Sequence, residues 1–286
     1  MSKVAIVTDT TACIPSEQVR EYGIEVVPVD LIFQDRVYRD RIDITPAEFY
    51  KLLKEAEKLP TTSGSLPGPY LEAYKRASLK ATYILCITLS SKLSAMYNSA
   101  RLAKELARDS LPNISIEVLD CGTAAAAQGL VVLAAARKAA LGAEVAEVID
   151  AAKEVMEKVR IYAALDTLYY LVRGGRVPKA AALVNSVLKI KPIFTIEDGE
   201  AHTVALPRTT KSALKQIVKL VARKVKRGEK LHVAVMHADS FDNAVKLREQ
   251  ISSRFELKEL FITEFTPVMG VHTGPGLVGV AFYGEE

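Results

Sequence analysis

Tryptophan is absent from this 286-residue chain, and only three cysteines occur, Cys13, Cys86 and Cys121, with no CxxC spacing. An odd, scattered set supports neither a disulfide framework nor a thiolate zinc site. The expectation is three buried, reduced thiols in a cytoplasmic protein. A membrane-spanning run is also missing. The longest uncharged stretch, Cys121 to Ala136, is dominated by alanine and falls short of the ~20 residues a bilayer span needs. The N-terminal apolar stretch breaks at Thr8-Asp9, too early for a signal-peptide core. Nor does one sign of charge dominate: 38 Lys and Arg face 34 Asp and Glu, a formal net charge of +4 spread along the chain. Nucleic-acid binders concentrate basic charge on one face or arm, so that class is not indicated.

Several catalytic signatures are absent as well. There is no GxxxxGK[ST] phosphate loop and no GxSxG elbow. Gly274-Pro-Gly-Leu-Val-Gly279 spells GxGxxG, but that fingerprint must open a helix to face a pyrophosphate, and the residues after Gly279 read as a strand. His232 and His237 lie on one expected strand at an odd offset, which puts them on opposite faces and argues against joint metal binding. No cofactor and no metal is expected.

What is present is alternation. Lys3–Thr8, Glu25–Leu31, Thr82–Leu89 and Ile114–Leu119 read as strands, with Pro28 marking an edge or a bulge in the second. Thr45-Pro46 with Glu48 is a capped helix start, and the helix is expected to run to Lys58. A helix is expected from Ser90 to about Ala107, with Ser94 in its first turn. Ala124–Leu141 and Glu144–Lys158 read as helices, separated at Gly142; strands resume at Ile161–Leu165, Ile190–Ile196, Leu231–Met236 and Leu260–Phe265. The fold class is α/β, with mostly parallel sheets in two lobes, about 1–158 and about 159–286. The stripe Leu214, Ile217, Val218, Val221, Val225 makes a further amphipathic helix; its basic face is solvated or docks an acidic partner.

Two constellations carry candidate chemistry. The first is a pair of hydroxyl-rich loops, Leu59–Pro69 and Thr88–Ala95, expected at the carboxyl ends of strands. Hydroxyls and backbone N–H groups at a helix N-terminus suit a carboxylate or phosphate, although Ser and Thr also cap helices routinely. The second is Arg173-Gly-Gly-Arg176 together with Val271–Gly276, where paired glycines admit a close backbone approach or simply stop a helix.

Taken in order, Val7–Ala12, Pro60–Ser63, Ile87–Ser94, Leu171–Val177, Leu188–Pro192, His237–Asp239 and His272–Gly276 resemble the motifs of the DegV family, over residues 3 to 283. The resemblance implies one DegV-type unit of two lobes with a lipid tunnel between them. In that bacterial family the tunnel holds a long-chain, palmitate-like fatty acid, its carboxylate bound by the positions matching Thr62 and Ser94, with Ser63, His272 and Arg176 as secondary candidates. It further implies a non-catalytic subunit that presents the acid to a separate ATP-dependent fatty acid kinase subunit, related to dihydroxyacetone kinases, for acyl phosphate formation. Lipid transport or sensing without a kinase, and a Ser/His hydrolase, remain as alternatives; transient membrane contact stays open. Ala95 and Met96 stand where many members carry Gly and Thr, which bears on chain length and partner contact.

Overall fold

The structure, a computed structural model, describes residues 3–63, 66–175 and 190–285. Strand β1 (Val4–Asp9) is buried along its whole length. It ends in a tight turn, Thr10–Ala12, capped by Asp9, whose carboxylate accepts from the Thr11 N–H at 3.0 Å. Helix α1 (Ser16–Glu21) follows. The run expected as one strand from Glu25 is two, β2 (Glu25–Val27) and β3 (Asp30–Phe33), parted at Pro28. Proline has no N–H to give a ladder, and the chain changes sheet there. β2 pairs with β1, whereas β3 joins β4 (Arg36–Arg39) and β5 (Thr61–Thr62) in a small antiparallel sheet. Helix α2 (Pro46–Glu55) starts as its sequence dictates: Thr45 Oγ1 accepts from Glu48 N–H, and the Glu48 carboxylate accepts from Thr45 N–H. It stops at Glu55, short of Lys58.

Helix α3 (Pro67–Ser78), β6 (Tyr83–Thr88), α4 (Met96–Ser110) and β7 (Ser115–Asp120) complete the first large sheet, ordered β2-β1-β6-β7 and parallel throughout. Two helices, α5 (Ala125–Ala140) and α6 (Val145–Lys158), then lead to a six-stranded sheet. Its elements are β8 (Arg160–Ala164), α7 (Tyr169–Gly174), β9 (Ile193–Glu197), β10 (Glu200–Ala205), α8 (Thr210–Ala222), β11 (Lys230–His237), α9 (Phe241–Ser252), β12 (Leu257–Glu264), α10 (Pro267–Thr273) and β13 (Val278–Glu285). The order is β10-β9-β8-β13-β11-β12.

The α/β class is as expected, but the second sheet is not mostly parallel: β11–β12 is its parallel pair, and the other pairings are antiparallel. Two local causes account for this. Asp198 and Gly199 both take positive φ (51° and 78°), the conformation of a two-residue hairpin turn, so β9 and β10 run opposite ways. β13 returns from α10 and inserts between β8 and β11, antiparallel to both.

Helix α5 sits between the large sheets, touching β1 on one side and β11 and β13 on the other. Its alanines and Gly129 allow the approach: a Cβ on Gly129 would lie 2.5 Å from the Ala12 carbonyl oxygen. Polar groups tie both ends of α5. Near its start, Gln128 reaches Thr8, Asp9 and Thr11 of the first sheet. Near its end, Arg137 makes a two-pronged bond to Glu259 on β12, at 2.7 and 2.6 Å. One apolar core, including Leu85, Leu130, Ile161, Phe194 and Met236, runs through α5 and both sheets.

Candidate functional site

A cavity of about 270 Å³ lies between the segments that follow the strands of the first large sheet and the six-stranded sheet. One wall comes from the first half of the chain, including Thr11, Leu89 and Ala124, and the other from the second, including Ile161, Phe194 and Leu277. The lining is mostly apolar, and no Lys, Arg, Asp or Glu contributes to it among the described residues. Its polar groups are hydroxyls and one imidazole: Thr62, Ser63, Ser94 and His272, with Thr11, Thr195 and Thr273.

Each of the four expected residues reaches the cavity by a separate route. Thr62 is held by its pairing with Leu31 of β3. Ser63 donates its N–H to the Asp30 carbonyl at 3.2 Å as that pairing ends. His272 lies on α10, and its Nε2 is 3.3 Å from Thr62 Oγ1. Ser94 is not in the first turn of α4, as the sequence suggested, but two residues ahead of it. Residues 90–94 form a turn of their own, with the N–H groups of Leu93 and Ser94 bonded to the Ser90 carbonyl. The Ser90 hydroxyl donates to the Gly199 carbonyl at 2.8 Å, which fixes this turn against the β9–β10 hairpin. Ser94 Oγ accepts the Met96 N–H at 3.4 Å, and Ala95 and Met96 line the cavity beside it.

The two glycine-bearing motifs also meet. Gly175 ends α7 with a left-handed φ of 67°, the helix-stop role of its motif. Gly174 lies so near α10 that a Cβ on it would fall 2.8 Å from His272 Nδ1. The paired glycines therefore bring α7 against the imidazole. Arg176, the remaining candidate, lies outside the described residues.

Sequence reasoning did not single out Thr11, Thr195 or Thr273. Thr11 and Thr273 fall inside motifs that carried the family resemblance, and this was the available signal; Thr195 is one residue of an ordinary strand and gives none. Behind the wall are two wholly buried carboxyls. Burial pushes Asp9 up to about 6, against the opposing pull of bonds from Thr11, Gln128 and Tyr70. Asp40, beside Thr10 and Thr266, is likewise pushed up to about 6 by burial.

The other sequence features sit away from this chemistry. GPGLVG runs into β13 and opens no helix. His232 stacks on Tyr283 and bonds Glu259, while His237 lies against Phe241. The three cysteines are buried and free, and burial pushes the thiols of Cys13 and Cys86 up to about 12, far from a reactive thiolate. Among the described residues no group of three or more His, Cys, Asp or Glu could hold a metal ion, and no helix is long and apolar enough to cross a membrane.

The family model described as "Uncharacterised protein, DegV family" matches residues 3–285. The chain is 35% identical over 287 residues to a DegV domain-containing protein of Halalkalibacterium halodurans, covering the whole of both. Among solved structures it is similar to a DegV family protein from Thermus thermophilus, described by its fatty acid binding, with a TM-score of 0.91, 27% identity, and 99% of this chain and 100% of that one covered. It is similar also to DegV of Bacillus subtilis, described as a fatty acid binding protein, with a TM-score of 0.89, 30% identity and both chains fully covered.

Proposed function

This chain belongs to the DegV family, and we propose that it binds one long-chain fatty acid in the cavity between its sheets, with the carboxylate meeting Thr62 and Ser94. The observation that carries this reading is the lining itself: an apolar cavity whose polar groups are neutral hydroxyls and one imidazole. An acyl chain gains about 0.8 kcal/mol per buried methylene, so the tail supplies most of the affinity and the head need only be oriented. Thr and Ser hydroxyls orient a carboxylate without the ion pair that a Lys or Arg would impose. The two lobes, about 1–158 and about 159–286, act as one binding unit, because neither alone closes the cavity.

The protein is non-catalytic in this reading and hands its cargo to a separate ATP-dependent kinase subunit, which phosphorylates the carboxylate. Hydroxyl donors leave the carboxylate oxygen nucleophilic. Ser94→Ala is expected to lower the rate of acyl phosphate formation about tenfold, for one lost hydrogen bond to a charged group, while retaining most bound lipid. Native mass spectrometry of the purified protein measures the lipid, and a reconstituted kinase assay measures the rate. A protein that carries no acyl mass and takes up no added palmitate would sink the lipid reading. Equal rates for wild type and Ser94→Ala would sink the role of Ser94.

One observation favours a second reading. A hydroxyl 3.3 Å from an imidazole, Thr62 Oγ1 to His272 Nε2, is the spacing of a nucleophile and its base. A hydrolase would also need a carboxylate to orient the imidazole, and no Asp or Glu lines the cavity among the described residues. Covalent labelling by a fluorophosphonate would decide for it.

A further inference from the structure

With Asp9 as a carboxylate, the hydrogen-bond ring it forms with Thr11 and Gln128 is one proton short. Its Oδ1 accepts the Thr11 N–H at 3.0 Å and also lies within hydrogen-bonding distance of Thr11 Oγ1. Thr11 Oγ1 is in turn 2.9 Å from Gln128 Oε1. A hydroxyl has one proton, and here it faces two acceptor oxygens. Turning the Gln128 amide over does not help. Its oxygen would then face Asp9 Oδ2, at 3.3 Å, and Thr8 Oγ1, at 3.2 Å, whose own proton goes to the Ile87 carbonyl. In either orientation an ionised Asp9 leaves two oxygens facing each other without a proton between them.

One proton on Asp9 resolves both contacts. Asp9 Oδ1–H then donates to Thr11, the Thr11 hydroxyl donates to Gln128 Oε1, and Gln128 Nε2–H donates back to Asp9 Oδ2, with the Tyr70 hydroxyl as a further donor at 3.3 Å. We propose that Asp9, as a neutral acid, is a positioning residue that closes this ring and so holds Thr11 and the start of α5 at the cavity wall, slowing ligand release as the pH falls. Thr11, Ala124 and Ala125 all line the cavity, and Gln128 follows within one turn on α5. The titratable groups facing Asp9 are Tyr70 from α3, Cys86 from β6, and Cys13 and Cys121 from the adjoining turns; Asp40 lies beyond Cys13. None of these is a cation, and no ion pair of the described residues includes Asp9. The upward shift produced by its burial agrees in direction.

The effect on release rests on the fatty-acid reading above; the protonation of Asp9 does not. Carboxyl carbon NMR of the full chain, labelled at Asp, reads that protonation directly. Two resonances, those of Asp9 and Asp40, are expected to titrate about two units above an exposed Asp, and the one belonging to Asp9 to vanish in Asp9→Asn. If Asp9→Asn does not fold, Thr11→Val should move the same midpoint. A spectrum in which no high-titrating resonance is lost in Asp9→Asn overturns the inference, as does an Asp9 midpoint indifferent to Thr11→Val. Palmitate release into an albumin trap should be several-fold slower at about pH 5.5 than at about pH 7.5, and the ratio should shrink in Asp9→Asn, since the ligand's own titration is common to both proteins. An unchanged ratio overturns the positioning role. A protein that holds no palmitate while Asp9 still titrates high overturns the fatty-acid reading and leaves the ring standing.

Discussion

Helix α5 carries a polar cluster at each end, and the two solve burial in opposite ways. At its start, Gln128 joins Asp9, Thr11 and Tyr70, a group with one carboxyl and no cation. Near its end, Arg137 grips Glu259, which also bonds His232 Nδ1 at 2.7 Å; His232 Nε2 faces Glu285 at 3.3 Å. Burial pushes both acids up. For Asp9 the bonds from Thr11, Gln128 and Tyr70 offset it only in part, and the group rises to about 6; for Glu259, His232 and Arg137 outweigh burial and hold the carboxyl below its usual value. A buried acid thus takes its protonation from whether a cation is within reach, and one helix shows both cases.

The sharpest way to break this contrast is a stability profile against pH. Asp9 titrates at about 6 when folded against 3.8 when free. Its stabilising contribution is therefore fully present below 3.8 and is lost as pH rises through about 6, by as much as about 3 kcal/mol for two units. Asp40 acts in the same sense. Glu259 runs the other way: its contribution is present above 4.5 and lost as pH falls. Urea unfolding of Asp9→Asn should show a shallower decline between about pH 4 and about pH 6 than wild type; parallel curves would refute the contrast at the Asp9 end. Arg137→Ala removes the cation at the other end and should cost about 2 kcal/mol at neutral pH, because Glu259 is left half-buried with His232 as its remaining partner. Arg137→Lys should recover part of that loss but not the paired geometry. Glu285→Gln should cost only about 0.5 kcal/mol, a difference that shrinks in salt, since that carboxylate is half exposed.

Neither cluster was legible in the sequence. Asp9 and Gln128 are 119 residues apart and Arg137 and Glu259 are 122 apart, and such pairings leave no local period to read. What was legible is short-range: the Thr45–Glu48 cap, the break at Pro28, the continuous apolar run of β6 and the glycine stop at Gly175. Thr62, Ser63, Ser94 and His272 were singled out by the hydroxyl-rich loops, the glycine-flanked histidine and the order of family motifs, and the fold brings them to one cavity. The start of α4 was misread because a bond from Ser90 to Gly199, 109 residues away, holds residues 90–94 in their own turn. The antiparallel second sheet was missed because alternating strands and helices do not reveal where β13 inserts.

That insertion has a consequence for how the molecule is made. All strands of the first large sheet precede residue 121, and they can assemble while the chain is still leaving the ribosome. The six-stranded sheet cannot. Its central place, between β8 and β11, waits for residues 278–285, so β8 emerges more than a hundred residues before β13. Until then one apolar wall of the cavity stands open on a nascent chain. Synthesis thus builds the half that carries Thr62 and Ser94 first and encloses the cavity last.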